Sequence, residues 1–263
     1  MKKGLRKLGL GLLLLTLATP AMGARIDIPG TGDGVNILAA VGEAFTAATG
    51  VEVRVPQSIG SSGGIEVVGT DKALIARVAR PIKDKEQHYG LTTVNFVRVP
   101  TVFFVDPAIG IDGLSSRQIL DIYAGKITNW KAVGGIDGEI EVFRREDGDS
   151  SLQNLMQTFP GFKDIVLSDR ARIMNKTPHM VKAILFTPGS IGFGPLDVAI
   201  AGKLKVLKID GMAPEQKGYP AFGILSFVFK QNNFQGDVKA FVEFATSPAA
   251  HDAIKKAGGV PLI

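Results

Sequence analysis

The sequence contains no cysteine, one tryptophan and three tyrosines among its 263 residues. The absence of cysteine excludes disulfide bridges, thiolate metal ligands, a cysteine nucleophile and a lipid anchor on an N-terminal cysteine. Hydrophobic residues make up 45% of the chain and charged residues 21%, which excludes an intrinsically disordered protein. The length suits one large domain or two smaller ones, each able to bury a core.

The chain also has almost no net charge when its first seven residues are left out of the count. The formal net charge is +5, but four of the 30 basic residues lie within the first seven positions, without any acidic residue among them. The rest of the chain then carries 26 basic and 25 acidic residues, a net charge of +1. This balance predicts no nucleic-acid partner.

The N-terminal segment 1–24 has the pattern of an export signal. Its basic start is followed by an apolar stretch from Leu8 to Leu17 and by the small residues Ala21 and Gly23. The apolar stretch is about half of the roughly 20 residues that a transmembrane helix needs, which is typical of a cleaved secretory signal peptide. Cleavage after Gly23 or after Ala24 fits almost equally well. We therefore expect a soluble periplasmic protein.

Strand and helix patterns alternate along the rest of the chain. Apolar residues alternate with polar ones over 51–55 and recur at helical spacing over 38–48. The repeated alternation predicts an α/β protein with mostly parallel sheets flanked by helices. Later helices are predicted over 64–69, 115–124, 150–158, 178–186, 237–246 and 248–257.

Two long apolar runs, 99–105 and 221–229, are candidates for strands that cross between two lobes. No Pro- or Ser-rich linker is present that could join two separate domains. We therefore predict a discontinuous first lobe, residues 25–104 plus about 210–263. The second lobe is predicted to span 105 to about 209.

Three loops rich in glycine and hydroxyl side chains each lie between a predicted strand and a predicted helix: Gly30–Gly34, Gly60–Gly64 and Arg144–Ser151. Glycine lets a backbone approach a ligand, and the first N–H groups of a helix favour an anion. One such loop alone is more often an ordinary helix cap. Three loops, with Arg144 and Arg145 beside the third, favour a tetrahedral oxyanion held by N–H, O–H and guanidinium donors.

Nucleotide and metal sites are less compatible with the residues. Gly30 and Gly32 imitate the start of a dinucleotide fingerprint, but Val35 occupies the position of its third glycine. The three histidines lie far apart, without a partner at metal-ligand spacing. We therefore expect neither a metal nor an organic cofactor. Elsewhere in the sequence, the run Lys83–Glu86 mixes basic and acidic residues, which is typical of a turn exposed to solvent.

Four motifs occur in a recognisable order: Ser58–Gly64, Ile119–Trp130, Arg144–Ser151 and Pro188–Gly194. With these motifs, most of the mature chain resembles the periplasmic phosphate-binding component of phosphate ABC transporters. The resemblance implies a two-lobed type II periplasmic-binding-protein fold with the ligand in the cleft between the lobes. It also implies a monomeric, non-catalytic protein that delivers phosphate to a membrane permease.

The resemblance places the family's binding residues on particular positions of this chain. Its acid that orients the ligand arginine Arg145 falls on Asp147. Its ligand contacts fall on the three glycine- and hydroxyl-rich loops, at Gly34, Val35, Ser61, Arg145, Asp149, Ser150 and Ser151. Ser62, next to Ser61, is a further candidate contact.

Three departures from the family pattern concern the ligand. Gly34 stands where the family has a threonine hydroxyl, Ala79 and Arg80 occupy the region of its proton-accepting aspartate, and Asp149 replaces a serine. Bound hydrogen phosphate needs an acceptor for its proton, whereas a carboxylate repels fully deprotonated sulfate. We hypothesise that Asp149, or failing that Asp33, supplies this acceptor and that Arg80 adds a cationic donor. Alternatively, Asp149 is only a helix cap.

Two other functions stay open at this point. The same loops would suit a protein that binds sulfate, molybdate or a small carboxylate. They would also suit a binding protein that reports its ligand to a membrane sensor and takes no part in transport. An exported phosphate-ester hydrolase is the other possibility, since Ser61, Ser150 or Ser151 could be a nucleophile. However, the sequence has no Gly-x-Ser-x-Gly elbow to support it.

Overall fold

The computed structural model describes residues 24–216 and 218–262. The predicted signal peptide lies almost entirely outside the described residues. Within them, no helix is both long enough and apolar enough to cross a membrane.

The elements alternate as the sequence patterns predict. The helices are α1 Val35–Thr49, α2 Gly60–Gly69, α3 Ser116–Tyr123, α4 Ser150–Thr158, α5 Thr177–Phe186, α6 Leu196–Ala201, α7 Gly236–Ala245 and α8 His251–Lys256. The strands are β1 Arg25–Asp27, β2 Glu52–Arg54, β3 Ile75–Val78, β4 Thr92–Val105, β5 Gly113–Leu114, β6 Glu141–Arg145, β7 Arg172–Met174, β8 Ser190–Pro195, β9 Lys205–Val206, β10 Lys208–Ile209, β11 Phe222–Phe229 and β12 Val260–Pro261.

Most predicted helices are confirmed, and the differences have local causes. Helix α4 has its predicted bounds, and α3 begins with the capping box between Ser115 and Gln118. The helix predicted over 248–257 is divided, because a 3₁₀ turn at Pro248–Ala250 precedes α8. The short helix α6 follows the last of the four motifs directly and was not predicted.

The large sheet has the strand order β3-β11-β4-β8-β6-β7. Strand β4 is antiparallel to both β11 and β8, and β11 is antiparallel to β3. Only β6 forms parallel pairs on this path, with β7 and β8. The prediction of mostly parallel sheets is therefore wrong for the centre of the large sheet, where the long strands β4 and β11 run side by side in opposite directions.

Two large apolar cores mark the two predicted lobes of this α/β protein, and a smaller third cluster lies between α2, β3 and β11. Strand β4 contributes Val97 and Val99 to the first core, and the residues from Val102 to Val105 to the second. At the start of β11, Ala221, just before the strand, belongs to the second core, and Leu225, within the strand, belongs to the first. We propose that the chain crosses between the lobes at these two places.

These crossings would modify the predicted lobe boundaries. Residues 25–104 plus 210–263 were assigned to the first lobe, but Met212 packs against the second core and Tyr219 belongs to it. The second lobe would therefore extend from about residue 101 to about residue 221.

Candidate functional site

The first glycine-rich loop ends at Gly34, which precedes α1. Its φ of +66° lies in the left-handed region, and a Cβ atom at this position would lie 2.5 Å from a side-chain atom of Leu225. Both the backbone conformation and the close packing therefore require glycine. Because no hydroxyl can stand at Gly34, the loop offers the N–H groups at the start of α1 and the preceding carboxyl of Asp33.

Asp33 is buried and faces the third loop. Its backbone N–H donates to Thr31 Oγ1 over 3.2 Å, and its Oδ2 has no hydrogen-bond partner among the described residues. Burial raises the pKa of Asp33 well above its usual range, the charges of Asp149 and Asp197 raise it further, and Arg145 and Ser151 oppose the shift. The carboxyl of Asp33 thus lies close to groups from the other lobe.

Asp149 is the N-cap of α4 and is nearly buried. Its Oδ1 accepts hydrogen bonds from the N–H groups of Ser151 and Leu152, over 2.9 and 3.1 Å, and its Oδ2 lies 2.9 Å from a terminal nitrogen of Arg145. Burial raises the pKa of Asp149, while Arg145 opposes that shift. Both carboxylate oxygens therefore already have partners, and Asp149 acts as a helix cap and as the ion-pair partner of Arg145.

The buried side chain of Arg145 is held from several sides. Its Nε donates to Met174 O over 2.8 Å, one terminal nitrogen donates to Thr177 Oγ1 over 2.9 Å, and Glu146 forms a second ion pair at 3.1 Å. These contacts, with Asp149, fix the guanidinium at the start of α4.

The prediction that Asp147 orients Arg145 is wrong. Asp147 pairs instead with Arg144 over 3.0 Å, and its side chain is 90% exposed. It follows β6 in the exposed turn that leads to α4, so its carboxylate extends towards solvent. The acids that hold Arg145 are its neighbours Glu146 and Asp149. Sequence position alone could not distinguish these three acids, because they differ only in the direction in which the turn presents them.

Helix α4 also brings a hydroxyl to this place. Ser150 is its first residue, and Ser151 is fully buried next to Asp33. Ser151 Oγ forms no hydrogen bond of regular geometry within the part of the chain that the structure describes, but it lies close enough to the Asp33 carboxyl to oppose the rise in the pKa of Asp33. A buried hydroxyl and carboxyl that are only loosely paired indicate a position where a polar ligand group would be accommodated.

Asp197, at the start of α6, is a site residue that the sequence reasoning missed. Its Oδ2 accepts from the backbone N–H of Asn36 over 3.2 Å and from the Asn36 side chain over 3.3 Å. Burial raises the pKa of Asp197 to about 6, and its Oδ1 lacks a partner among the described groups. In the sequence, an acid in the first turn of a helix is an ordinary feature that only complements the dipole, so no signal marked it.

The second glycine-rich loop contributes Ser61 and Ser62 near the start of α2. Ser61 is buried, and its Oγ accepts from the backbone N–H of Ala79 over 3.1 Å. Ser62 Oγ accepts from Arg80 over 2.6 Å. The loop thus ties α2 to the end of β3.

Arg80 forms its contacts outside the group around Asp33. Its guanidinium pairs with Glu86 at 2.7 Å, and both side chains are less than a tenth exposed. The hydrogen bonds from Arg80 lower the pKa of Glu86 to about 2. Glu86 is therefore buried and paired, and the prediction of a solvated turn at Lys83–Glu86 is wrong for this residue.

The structure thus brings together Asp33 before α1, Arg145, and the start of α4 with Asp149 and Ser151. The positive ends of two helix dipoles and one guanidinium favour an anion, whereas Asp33 and Asp197 offer unpartnered oxygens that require a proton from it or hold one themselves. This arrangement suits an oxyanion that carries a proton. No group of three or more histidine, cysteine or acidic side chains in the described ranges could hold a metal ion.

Comparison with known proteins gives relatives for most of the chain. A family model described as a PBP superfamily domain matches residues 18–249. The phosphate-binding protein PstS of Borreliella burgdorferi is 24% identical over 212 residues, 76% of either chain. PstS of Bacillus subtilis is 28% identical over 149 residues, which cover 54% of this chain and 48% of that relative.

A solved structure is similar over nearly the whole chain. It is described as a phosphate ABC transporter substrate-binding protein with bound phosphate, from Clostridium perfringens. It is 26% identical, has a TM-score of 0.79, and the match covers 91% of this chain and 100% of that one.

Proposed function

The chain belongs to the PBP superfamily, and we propose that it is a periplasmic binding protein that captures inorganic phosphate between its lobes and delivers it to an ABC permease. The resemblance of its four motifs and the names of its relatives support phosphate as the ligand. The observation that carries the proposal is the convergence of Asp33, Arg145 and Ser151 at the starts of α1 and α4. The family consists of binding proteins, so no catalytic role is assigned to the serines.

We propose that the ligand contacts come from both lobes. The first lobe would supply the N–H groups of Gly34 and Val35, the carboxyl of Asp33 and the start of α2 at Ser61. The second would supply Arg145 and the N–H and O–H groups of Ser150 and Ser151. Charge-assisted hydrogen bonds stabilise a complex by roughly 1.5 to 3 kcal/mol each, so about four of them suffice for the roughly 8 kcal/mol of micromolar binding.

Asp33 is a better candidate than Asp149 for the acceptor of the ligand proton. Both oxygens of Asp149 already accept from Arg145 and from the start of α4, whereas the Asp33 carboxyl has only the hydroxyl of Ser151 beside it and forms no hydrogen bond of regular geometry through Oδ2. We propose that Asp149 holds Arg145 and that Asp33 shares a proton with the bound phosphate. Ser62 and Arg80, which contact each other beside Glu86, stay predicted contacts outside this set.

A shared proton makes selectivity depend on pH. When Asp33 holds its own proton at low pH, it can donate to sulfate as well as to phosphate. At high pH, Asp33 is charged and repels sulfate, whereas hydrogen phosphate still brings a proton to it. We therefore expect the preference for phosphate over sulfate to be larger at pH 8 than at pH 5.

Titration calorimetry on the mature chain, freed of bound anion by partial unfolding, tests this function. We expect one phosphate per chain, with weaker sulfate and molybdate binding at pH 8. Absence of phosphate binding, or stronger binding of another anion at both pH values, would refute the proposal. A phosphatase assay on the same sample should show no turnover, and any turnover abolished by Ser151→Ala would support a hydrolase instead.

We also propose that residues 1–24 direct export and that the mature protein is a soluble monomer without a lipid anchor. The basic and apolar pattern of this segment supports its role as a signal peptide. Mass spectrometry of the periplasmic protein should give an N-terminus at Ala24 or Arg25. Light scattering should give the mass of one chain with and without phosphate.

A further inference from the structure

Arg77 is an arginine that is completely shielded from solvent. It lies in β3, its side chain is fully buried, and burial lowers its pKa to about 10, so it is still charged at neutral pH. No carboxylate pairs with it among the residues that the structure describes. A buried charge without an ion-pair partner is retained only where it makes strong hydrogen bonds, and here it makes three.

All three hydrogen bonds go to backbone carbonyls beside the glycine-rich loops. Nε donates to Thr31 O over 2.7 Å, one terminal nitrogen donates to Ile28 O, and the other donates to Pro56 O over 2.9 Å. The planar guanidinium therefore joins the chain before and within the first loop to the chain that leads into the second loop. A lysine has one nitrogen and could not span these three positions.

The backbone of Arg77 holds the same loop. Its N–H donates to Pro29 O over 2.8 Å, and its carbonyl accepts from the N–H of Thr31 over 3.1 Å. Gly30 lies so close that a Cβ atom there would be 1.9 Å from Arg77 O, and its φ is +140°. The first loop is thus fixed to β3 by both the main chain and the side chain of Arg77.

The loop continues directly to Asp33. Thr31, whose carbonyl is held by Arg77, uses its Oγ1 to accept from the N–H of Asp33. The path from the guanidinium to the Asp33 backbone therefore passes through one residue. Arg77 itself is separated from the anion by this loop, so it acts on the ligand only through the position of Asp33.

We propose that Arg77 is a positioning residue that holds Asp33 in place and so sets the preference of the site for a protonated oxyanion over a fully deprotonated one. This inference rests on the proposed function, because it requires that the site binds phosphate and that Asp33 faces it. This positioning role differs from a purely structural role in the property that a substitution would change. A structural residue changes stability, whereas Arg77 also changes which anion is bound.

The experiment compares the ratio of phosphate to sulfate affinity at pH 8 in four variants. They are Arg77→Lys, Asp33→Asn, the double variant of these two, and Ile75→Ala. Ile75 is fully buried in the first core on the same strand, so its truncation destabilises β3 without touching the loop. All titrations use the mature chain at a temperature at which circular dichroism shows every variant to be folded.

We expect Arg77→Lys to lower the affinity ratio by about tenfold or more and Ile75→Ala to leave it unchanged. In the Asp33→Asn background, Arg77→Lys should have no further effect on the ratio, because the two residues act on one path. An unchanged ratio in Arg77→Lys, or an equal additional loss in the double variant, would overturn the proposal. Absence of phosphate binding by the unsubstituted protein would instead refute the proposed function.

A second variant covers the case in which Arg77→Lys does not fold. Thr31→Val keeps the shape and the backbone carbonyl that Arg77 holds but removes the hydroxyl that accepts from Asp33. It should lower the phosphate to sulfate ratio in the same direction. A ratio equal to that of the unsubstituted protein would contradict the path from Arg77 to Asp33.

Discussion

Each lobe buries an arginine beside one of the glycine- and hydroxyl-rich loops, and the two arginines are held in different ways. Arg77 in the first lobe donates only to backbone carbonyls, which fix a loop. Arg145 in the second lobe donates to one backbone carbonyl, Met174 O, and is held mainly by the side chains of Glu146, Asp149 and Thr177. The partners of Arg77 are thus all main-chain atoms, whereas those of Arg145 include two acids that hold its guanidinium at the start of α4. In the two proposals made above, the same residue type positions a loop in one lobe and binds the anion in the other.

The strongest test of this comparison is Arg145→Met. We expect a loss of phosphate affinity of at least about 100-fold, because charge-assisted hydrogen bonds to the anion are lost and Asp149 is left unpaired beside it. Arg144→Met is the matched control, since Arg144 precedes it on β6 and pairs with the exposed Asp147. Calorimetry should show little change for the control. Equal losses in both variants would mean that neither arginine is specific to the site.

The next largest effect is expected on the pH dependence of the free energy of unfolding, and it comes from Asp197. Its pKa is about 6 in the folded protein against 3.8 in an unfolded chain, so the folded state retains the proton that the unfolded state releases. The free energy of unfolding should therefore fall as the pH rises from about 4 to about 6, by about 3 kcal/mol from this group. Urea unfolding of Asp197→Asn should lack that part of the slope. An identical pH profile in the variant would contradict the assignment.

Asp33→Asn tests the first lobe's part in the comparison, because Asp33 is the residue that Arg77 is proposed to position. The amide keeps the shape and can accept through Oδ1 or donate through Nδ2, but it is a weaker acceptor than a carboxylate and carries no charge that repels a dianion. We expect sulfate binding at pH 8 to gain and phosphate binding to weaken, so that their affinity ratio falls by about 10- to 100-fold. Asp149→Asn should instead weaken both anions together, because it loosens Arg145. Unaltered selectivity in Asp33→Asn would return the acceptor role to another group.

The smallest effect on binding is expected for Arg80→Met. The guanidinium of Arg80 is already paired with Glu86, so phosphate affinity should change by less than about threefold. The variant should also lose the low pKa of Glu86, and with it the fall in stability between about pH 4.5 and pH 2 that the pair causes in the unsubstituted protein. Acid unfolding and calorimetry check the two parts. A tenfold loss of phosphate affinity would restore Arg80 as a ligand donor.

Local patterns in the sequence predicted the alternation of strands and helices and the three loops, because periodicity, glycine and capping residues act locally. The crossing strands stay a prediction. The sequence also identified Arg145, Ser151 and Asp33 as candidates, since they lie within those loops.

Only contacts in the folded protein show which acids hold Arg145, that Arg80 is paired with Glu86, that Asp197 contacts Asn36, and that Arg77 lies beneath the first loop. Each of these facts is a contact between residues whose side-chain directions depend on turns and packing, not on residue type. The antiparallel centre of the large sheet has the same origin, because β4 and β11 are far apart in the sequence and pair only in the folded protein.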